Sequence, residues 1–190
     1  GPFLKGQPMR RMIVVAILAS ALLGARAWGQ TLTNPRVEEA VQKGIQYFWA
    51  TQKGDGSWGA FGDKPGEMNY HLTGPTGLAV LALLEAGVSP QDERLAKSLD
   101  WLAKHESKTN YARALRCQVW LIVNRQTRNK YLKEFEADVK RMMMSAYQRT
   151  KEDPGYKGHY TYDANGDGRV RRDFDNSNSQ FGVLGVWAGA

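Results

Sequence analysis

The sequence predicts an all-α fold in which half-buried and fully buried helices alternate. Two observations carry this. Apolar residues recur at i, i+3, i+4 and i+7 in three segments, while three further segments between and after them are apolar nearly all round. Strand signals are almost missing: "YKGHYTY" (156–162) is at most a short extended piece. With 190 residues, 42% hydrophobic and 24% charged, the composition is that of an ordinary globular domain with its own core.

Asn34-Pro35 opens the first helix as N-cap and first helical residue, with Glu38 and Glu39 near the positive end of the dipole. Val37, Ala40, Val41, Gly44, Ile45 and Phe48 fall on one face. "QKGDGSWG" (52–59) then forces a turn, yet carries a Trp. "TGLAVLALLEAG" (76–87) is apolar throughout and ends at Gly87, a C-cap signal. Ser89-Pro90 opens the next helix, with Asp92 in its first turn and Leu95, Leu99 and Leu102 as its stripe. "YARALRCQVWLIV" (111–123) is again apolar, but carries Arg113 and Arg116; "RQTRNK" (125–130) reads as a solvated loop. A third amphipathic helix runs from about Tyr131 to Arg149 through Leu132, Phe135, Val139, Met142, Met143 and Ala146, and the methionines at 142–144 are expected to fill the core. In "SQFGVLGVWAGA" (179–190), Gly182, Gly185 and Gly189 weaken a helix, so close approach to a neighbour is expected there.

This alternation suggests two concentric layers, an outer one wrapping an inner one. An internal repeat supports it. Superimposing Gln52 on Glu106 and Gln148 brings Tyr47-Phe48 onto Trp101-Leu102 and Met143-Met144. Across the apolar segments, Gly87 falls on Gly189. Three helical hairpins is the economical reading. The last apolar run reaches Ala190 with no charge or cap, so residues 28–190 are expected to be the N-terminal part of a longer domain, with any cavity open on one side.

The first residues read as export. Residues 1–8 are an upstream extension and 9–27 a signal peptide: Met9, Arg10 and Arg11, an apolar run from Met12 to Ala25, then Ala25-Arg26-Ala27 as an A-x-A cleavage site. The run is shorter than the roughly 18 residues a bilayer span needs, so no transmembrane segment is expected after cleavage. The formal charge is +7, but Lys5, Arg10, Arg11 and Arg26 lie in that leader, leaving +3 on the remainder. That mild excess has no basic stripe interleaved with aromatics, which argues against a nucleic-acid partner. Cys117 is the one cysteine, so no internal disulfide can form; its apolar surroundings make it a packing residue.

Lys43-Gly44, Tyr47-Phe48, Gln52, Gly56 and Trp58 together resemble the QW motif of the squalene–hopene and oxidosqualene cyclases. The motif is a basic residue and Gly, an aromatic, an aliphatic, Gln, then Gly-x-Trp; here Phe48 stands at the aliphatic position. The resemblance covers about residues 34–190 and implies an α/α toroid, shared with protein prenyltransferase β subunits, of which three hairpins make a partial ring. It also implies that Gln52 stacks on the Trp58 indole and bonds backbone groups at nearby helix ends, closing an outer helix. The physics agrees: helix ends leave backbone groups unpaired, and a Gln can satisfy both kinds. The full motif occurs once; Glu106 and Gln148 hold the Gln position in the other hairpins.

Two constellations could carry chemistry. "DFDNSN" (173–178) resembles the Asp-x-Asp-Asp-Thr motif of class II terpene cyclases, with Asp173 and Asp175 as the first two carboxylates, Asn176 for the third and Ser177 for the Thr. The resemblance implies Asp175 as the acid that protonates an alkene or epoxide; the alternative is a helix N-cap. "DANGDGRV" (163–170) places Asp163, Asn165, Asp167 and the Arg169 carbonyl at the first ligand positions of a calcium loop, with Phe174 where the final acid is expected; the alternative is a metal-free turn. Cys117 with His71, His105 or His159 shows no zinc spacing. Tyr156, Tyr160 and Tyr162 suit packing, sugar stacking or a cavity wall, and Arg113 and Arg116 could face an acidic ligand or an open edge. The leading expectation is an exported toroid used for binding or assembly, taking an apolar ligand or a protein partner. A class II terpene cyclase and a glycan-acting toroid enzyme are the alternatives.

Overall fold

A computed structural model describes residues 34–59, 73–146, 158–162 and 176–190. All regular structure among them is helical: α1 (Pro35–Thr51), α2 (Thr73–Glu85), α3 (Glu93–Lys104), α4 (Asn110–Gln126), α5 (Leu132–Ser145) and α6 (Asn176–Trp187). The chain divides into residues 1–42 and 43–190. Of the first unit only 34–42, the opening turns of α1, are described; Val37 and Val41 are exposed there. The periodicity placed them on a buried face, but a period sets which residues share a face and not what covers it.

In the second unit α4 is the central helix, packing on α2, α5 and α6. The larger core cluster joins α2 (Val80, Leu83), α3 (Leu95, Leu99, Leu102) and α4 (Val119, Trp120, Val123) with Trp58; Ile45, Phe48 and Trp49 of α1 lean on it. A second cluster gathers Ala114, Cys117, Met142, Tyr160 and Ala188. Gly87 closes α2 as expected: its N–H donates to the Leu84 carbonyl and that of Val88 to the Leu83 carbonyl, the paired bonds of a Schellman stop.

Three expectations change. The cap of α3 is Asp92, whose carboxylate accepts from the backbone N–H of Arg94 and Leu95, so Ser89-Pro90 forms the turn before the helix rather than its start. Met142 is fully buried, but Met143 and Met144 are exposed, because three consecutive helical residues spread over about 200° of arc and cannot share one face. The exposed flank of α6, with Val183 and Trp187, departs from the fully buried helix its composition suggested.

The glycines of the last segment do permit close approach. A Cβ on Gly182 would fall into the ring of Tyr160, one on Gly185 would lie 3.2 Å from the Ala114 Cα, and one on Gly189 would lie 2.6 Å from Val139. Gly44, by contrast, has nothing within 4 Å of where a Cβ would stand. In mid-helix that glycine costs backbone entropy with no steric return. Gly44→Ala is expected to raise the unfolding free energy by about 0.5–1 kcal/mol in urea titration; a loss of stability would mean that the position needs glycine after all.

Candidate functional site

The loop 52–59 ties three helices. Gln52 uses both amide N–H groups, donating to the Arg94 carbonyl at 3.0 Å and to Ser98 Oγ at 2.8 Å, both on α3. Ser98 Oγ in turn donates to the Gly56 carbonyl at 2.6 Å. Gly56 sits at φ +95, with the Lys97 backbone 3.1 Å from where a Cβ would be, so neither its conformation nor its space admits a side chain. Asp55 accepts from the Ser57 N–H and hydroxyl with one oxygen and from Trp101 Nε1 with the other. The Ser57 hydrogen bonds hold its carboxyl below the ordinary aspartate value.

Trp58 is 6% exposed. Its indole N–H donates to the Phe48 carbonyl at 2.7 Å, and its backbone N–H donates to Thr76 Oγ1 at 3.0 Å. The rings against it are Phe48, edge-on at 6.3 Å, and Trp49, tilted at 6.1 Å. Gln52, expected to bond backbone groups at nearby helix ends, binds the first turns of α3, while the Trp serves the end of α1. Lys43 and Gly44, one turn earlier on α1, lie exposed and half-buried. Glu106 repeats the tie one helix later: it follows α3 and pairs with Arg141 of α5 at 2.8 Å.

Arg113 and Arg116, read as facing an acidic ligand or an open edge, turn to a carboxylate and line a polar cavity beside it. Both are buried and share one carboxylate, Asp138 of α5. Arg116 Nε donates to it at 2.8 Å and Arg113 stands 4.0 Å away, while Trp120 Nε1 donates to the same oxygen as Arg116 at 2.9 Å. One further donor of each reaches the chain that follows α3: Arg113 to the Ser107 carbonyl and Arg116 to the His105 carbonyl. The guanidiniums thus close the α3–α4 connection, where backbone acceptors would otherwise go unpaired. Sequence reasoning missed Asp138, although the signal was there. It lies between Phe135 and Met142 on the buried stripe of α5, and a carboxylate on an apolar face calls for a cationic partner.

The concave feature of chemical interest is an apolar groove of about 490 Å³. Pro75 and Leu78 of α2, Tyr111 and Leu115 of α4, and Phe181 of α6 line it with Tyr162 at the rim. All three apolar helices therefore contribute. Tyr111 and Phe181 stack at 3.8 Å between ring centres. The segment 158–162 is fixed against α4, whose Asn110 N–H donates to the Tyr162 carbonyl at 3.1 Å and whose side chain donates to the Thr161 carbonyl at 2.6 Å. Tyr160 is buried in the core and Tyr162 half exposed, so the two tyrosines divide packing and groove between them. Cys117 is fully buried, and that burial pushes its thiol pKa far up, as suits a packing residue.

Asp173 and Asp175, the candidate acids, lie outside the described residues, as do the calcium-loop positions Asp163, Asn165, Asp167 and Arg169. Described structure resumes at Asn176, the first residue of α6. Among the described residues no cluster of His, Cys, Asp or Glu could hold a metal ion, and no helix is long and apolar enough to cross a membrane. No protein-family model matches the chain, and no curated protein or solved structure matches it either.

Proposed function

We propose that the chain is an exported repeat domain of the prenyltransferase and squalene-cyclase type, a partial α/α toroid that binds an apolar ligand without transforming it. The observation that carries this reading is the groove built jointly by α2, α4 and α6. A slot walled by Leu, Pro and stacked aromatics, with Thr109 and Tyr162 as its side-chain hydroxyls away from that stack, has the chemistry of an apolar ligand site. The clamp of Gln52 and Trp58 supports the toroid assignment, since it performs the helix-closing task that the resembling motif implies.

Farnesol, a neutral isoprenoid alcohol, is the direct probe. It is expected to bind saturably, and Leu78→Arg, at a half-exposed position on the groove wall, to weaken binding at least about tenfold by forcing a charge beside the ligand. Unchanged affinity in that variant, or no saturable binding to the original chain, would refute the reading.

The aromatic walls favour a second reading, a class II terpene cyclase, because π faces stabilise carbocations. Asp175 would be its acid, with Asp173 beside it. Turnover of squalene by the chain, lost in Asp175→Ala, would replace the binding role with a catalytic one.

A further inference from the structure

The ion cluster of α4 and α5 opens onto a second, polar cavity of about 320 Å³, remote in character from the apolar groove. We propose that this cavity binds a small multivalent oxyanion, a phosphate or a dicarboxylate. Its walls bring Lys104, Arg113, Arg116, Lys133 and Arg141 together against three carboxylates, Glu106, Glu134 and Asp138. Two of those carboxylates are already committed, Glu106 to Arg141 and Asp138 to Arg116. The buried interior holds two guanidiniums for one carboxylate, an excess of one positive charge beside the cavity.

A second observation points the same way. Arg113, with its side chain 2% exposed, has an Nε–H that meets no acceptor among the described residues. A buried donor on a charged group is costly to leave unmet, so the guanidinium beside the cavity is short of acceptors as well as of counter-charge. The oxyanion would be held by the Lys133 and Arg141 ammonium and guanidinium groups at the rim, with the buried charges of Arg113 and Arg116 behind them. Desolvation already holds the Arg113 guanidinium below its ordinary pKa, as expected for a cation short of counter-charge. The cavity shares no lining residue with the apolar groove, and its charged walls suit a different class of ligand.

The test titrates the full chain with inorganic phosphate and, in a parallel arm, succinate, at constant ionic strength set with chloride, and reads heat by calorimetry. Saturable binding of either anion is expected, and the tighter arm identifies the chemistry. Lys133→Ala should weaken it by about five- to tenfold, the worth of one charge-assisted contact at a rim. Glu106→Gln, which frees Arg141 from its pairing, should strengthen it by a similar factor. Both positions are exposed, so neither variant threatens folding. A merely structural ion cluster would show no saturable heat. Binding that ignores both variants would place the anion elsewhere, and either result overturns the proposal.

Discussion

Replacing Asp138 with Ala is expected to lower the unfolding free energy by about 3–5 kcal/mol, enough to drop the melting temperature by about 10 °C or more. The reason lies in what remains after the substitution. Arg113 and Arg116 stay buried, each tied to a backbone carbonyl, with no opposite charge in reach from α5. Trp120 loses its indole acceptor in the same stroke. Breaking one partner of a buried pair costs far more than the pair contributes, because the stranded charge keeps its full desolvation penalty. Asp138→Asn separates the two effects: its side-chain oxygen still accepts from Trp120, so what it loses is charge. A triple replacement, Arg113→Met, Arg116→Met and Asp138→Leu, should recover the part of the loss due to stranded charge, but not the part due to the Ser107 and His105 carbonyls and the Trp120 N–H that lose their partners. If the single Ala variant melts within a degree or two of the parent, the cluster contributes nothing that its geometry implies.

Acidity adds a second signature. Burial pushes the Asp138 carboxyl above its ordinary value of 3.8, against the pull of Arg116. The native state therefore holds that proton more tightly than the unfolded chain does. On this group alone, stability falls as pH rises from 3.8 toward the native pKa, and Asp138→Asn should abolish that slope. Asp55, Asp92 and Asp100 act in the opposite sense. Hydrogen bonds from Ser57, Arg94 and Tyr131 respectively hold their carboxyls below 3.8. Their contribution is full above that value and is lost as pH falls through their native pKa values.

The helices were legible because their causes are local. Stripes of Leu95, Leu99 and Leu102, the stop at Gly87 and the glycines after residue 181 each declare themselves within a few turns of chain. What was not legible is pairing at a distance. Asp138 meets Arg116 across 22 residues, and Gln52 meets Ser98 across 46; no local pattern specifies either partner. Arg113 and Arg116 on an apolar helix were read as facing an acidic ligand or an open edge, since the carboxylate that pairs with them, Asp138, sits on a different helix. The groove was hidden for a related reason. Its members Leu78, Tyr111 and Phe181 come from three helices, and each alone looks like ordinary packing.

Trp58→Ala is expected to cost about 3–5 kcal/mol in urea unfolding, the range for removing a large aromatic from a packed site. Were "QKGDGSWG" a solvated turn, the same change would fall within about 0.5 kcal/mol, so the measurement decides between a clamp and a loop. The cost has two parts that a second variant resolves. Trp58→Phe keeps most of the apolar surface against Phe48 and Trp49 but removes the indole N–H. The Phe48 carbonyl lies in the last turn of α1, where the Thr51 hydroxyl also donates to it, at 3.2 Å and shared with the Tyr47 carbonyl. Losing the indole bond should account for about 1 kcal/mol of the total. Gln52 sets the other side of the same junction, and its two donors fall on α3 rather than α1. The Trp therefore ends one helix while the Gln binds the next amphipathic helix in line. Each does what its neighbour cannot: the indole has one donor and a broad apolar face, the amide two donors and little area. A turn with Gln alone would leave the end of α1 wet, and a turn with Trp alone would leave α3 unanchored. Additive losses in the Gln52→Ala, Trp58→Ala double variant would show two independent contacts; a double loss smaller than the sum would show one cooperative junction. The shared loop, with Ser98 bridging Gln52 to Gly56 just two residues before the Trp, makes the second outcome the expected one.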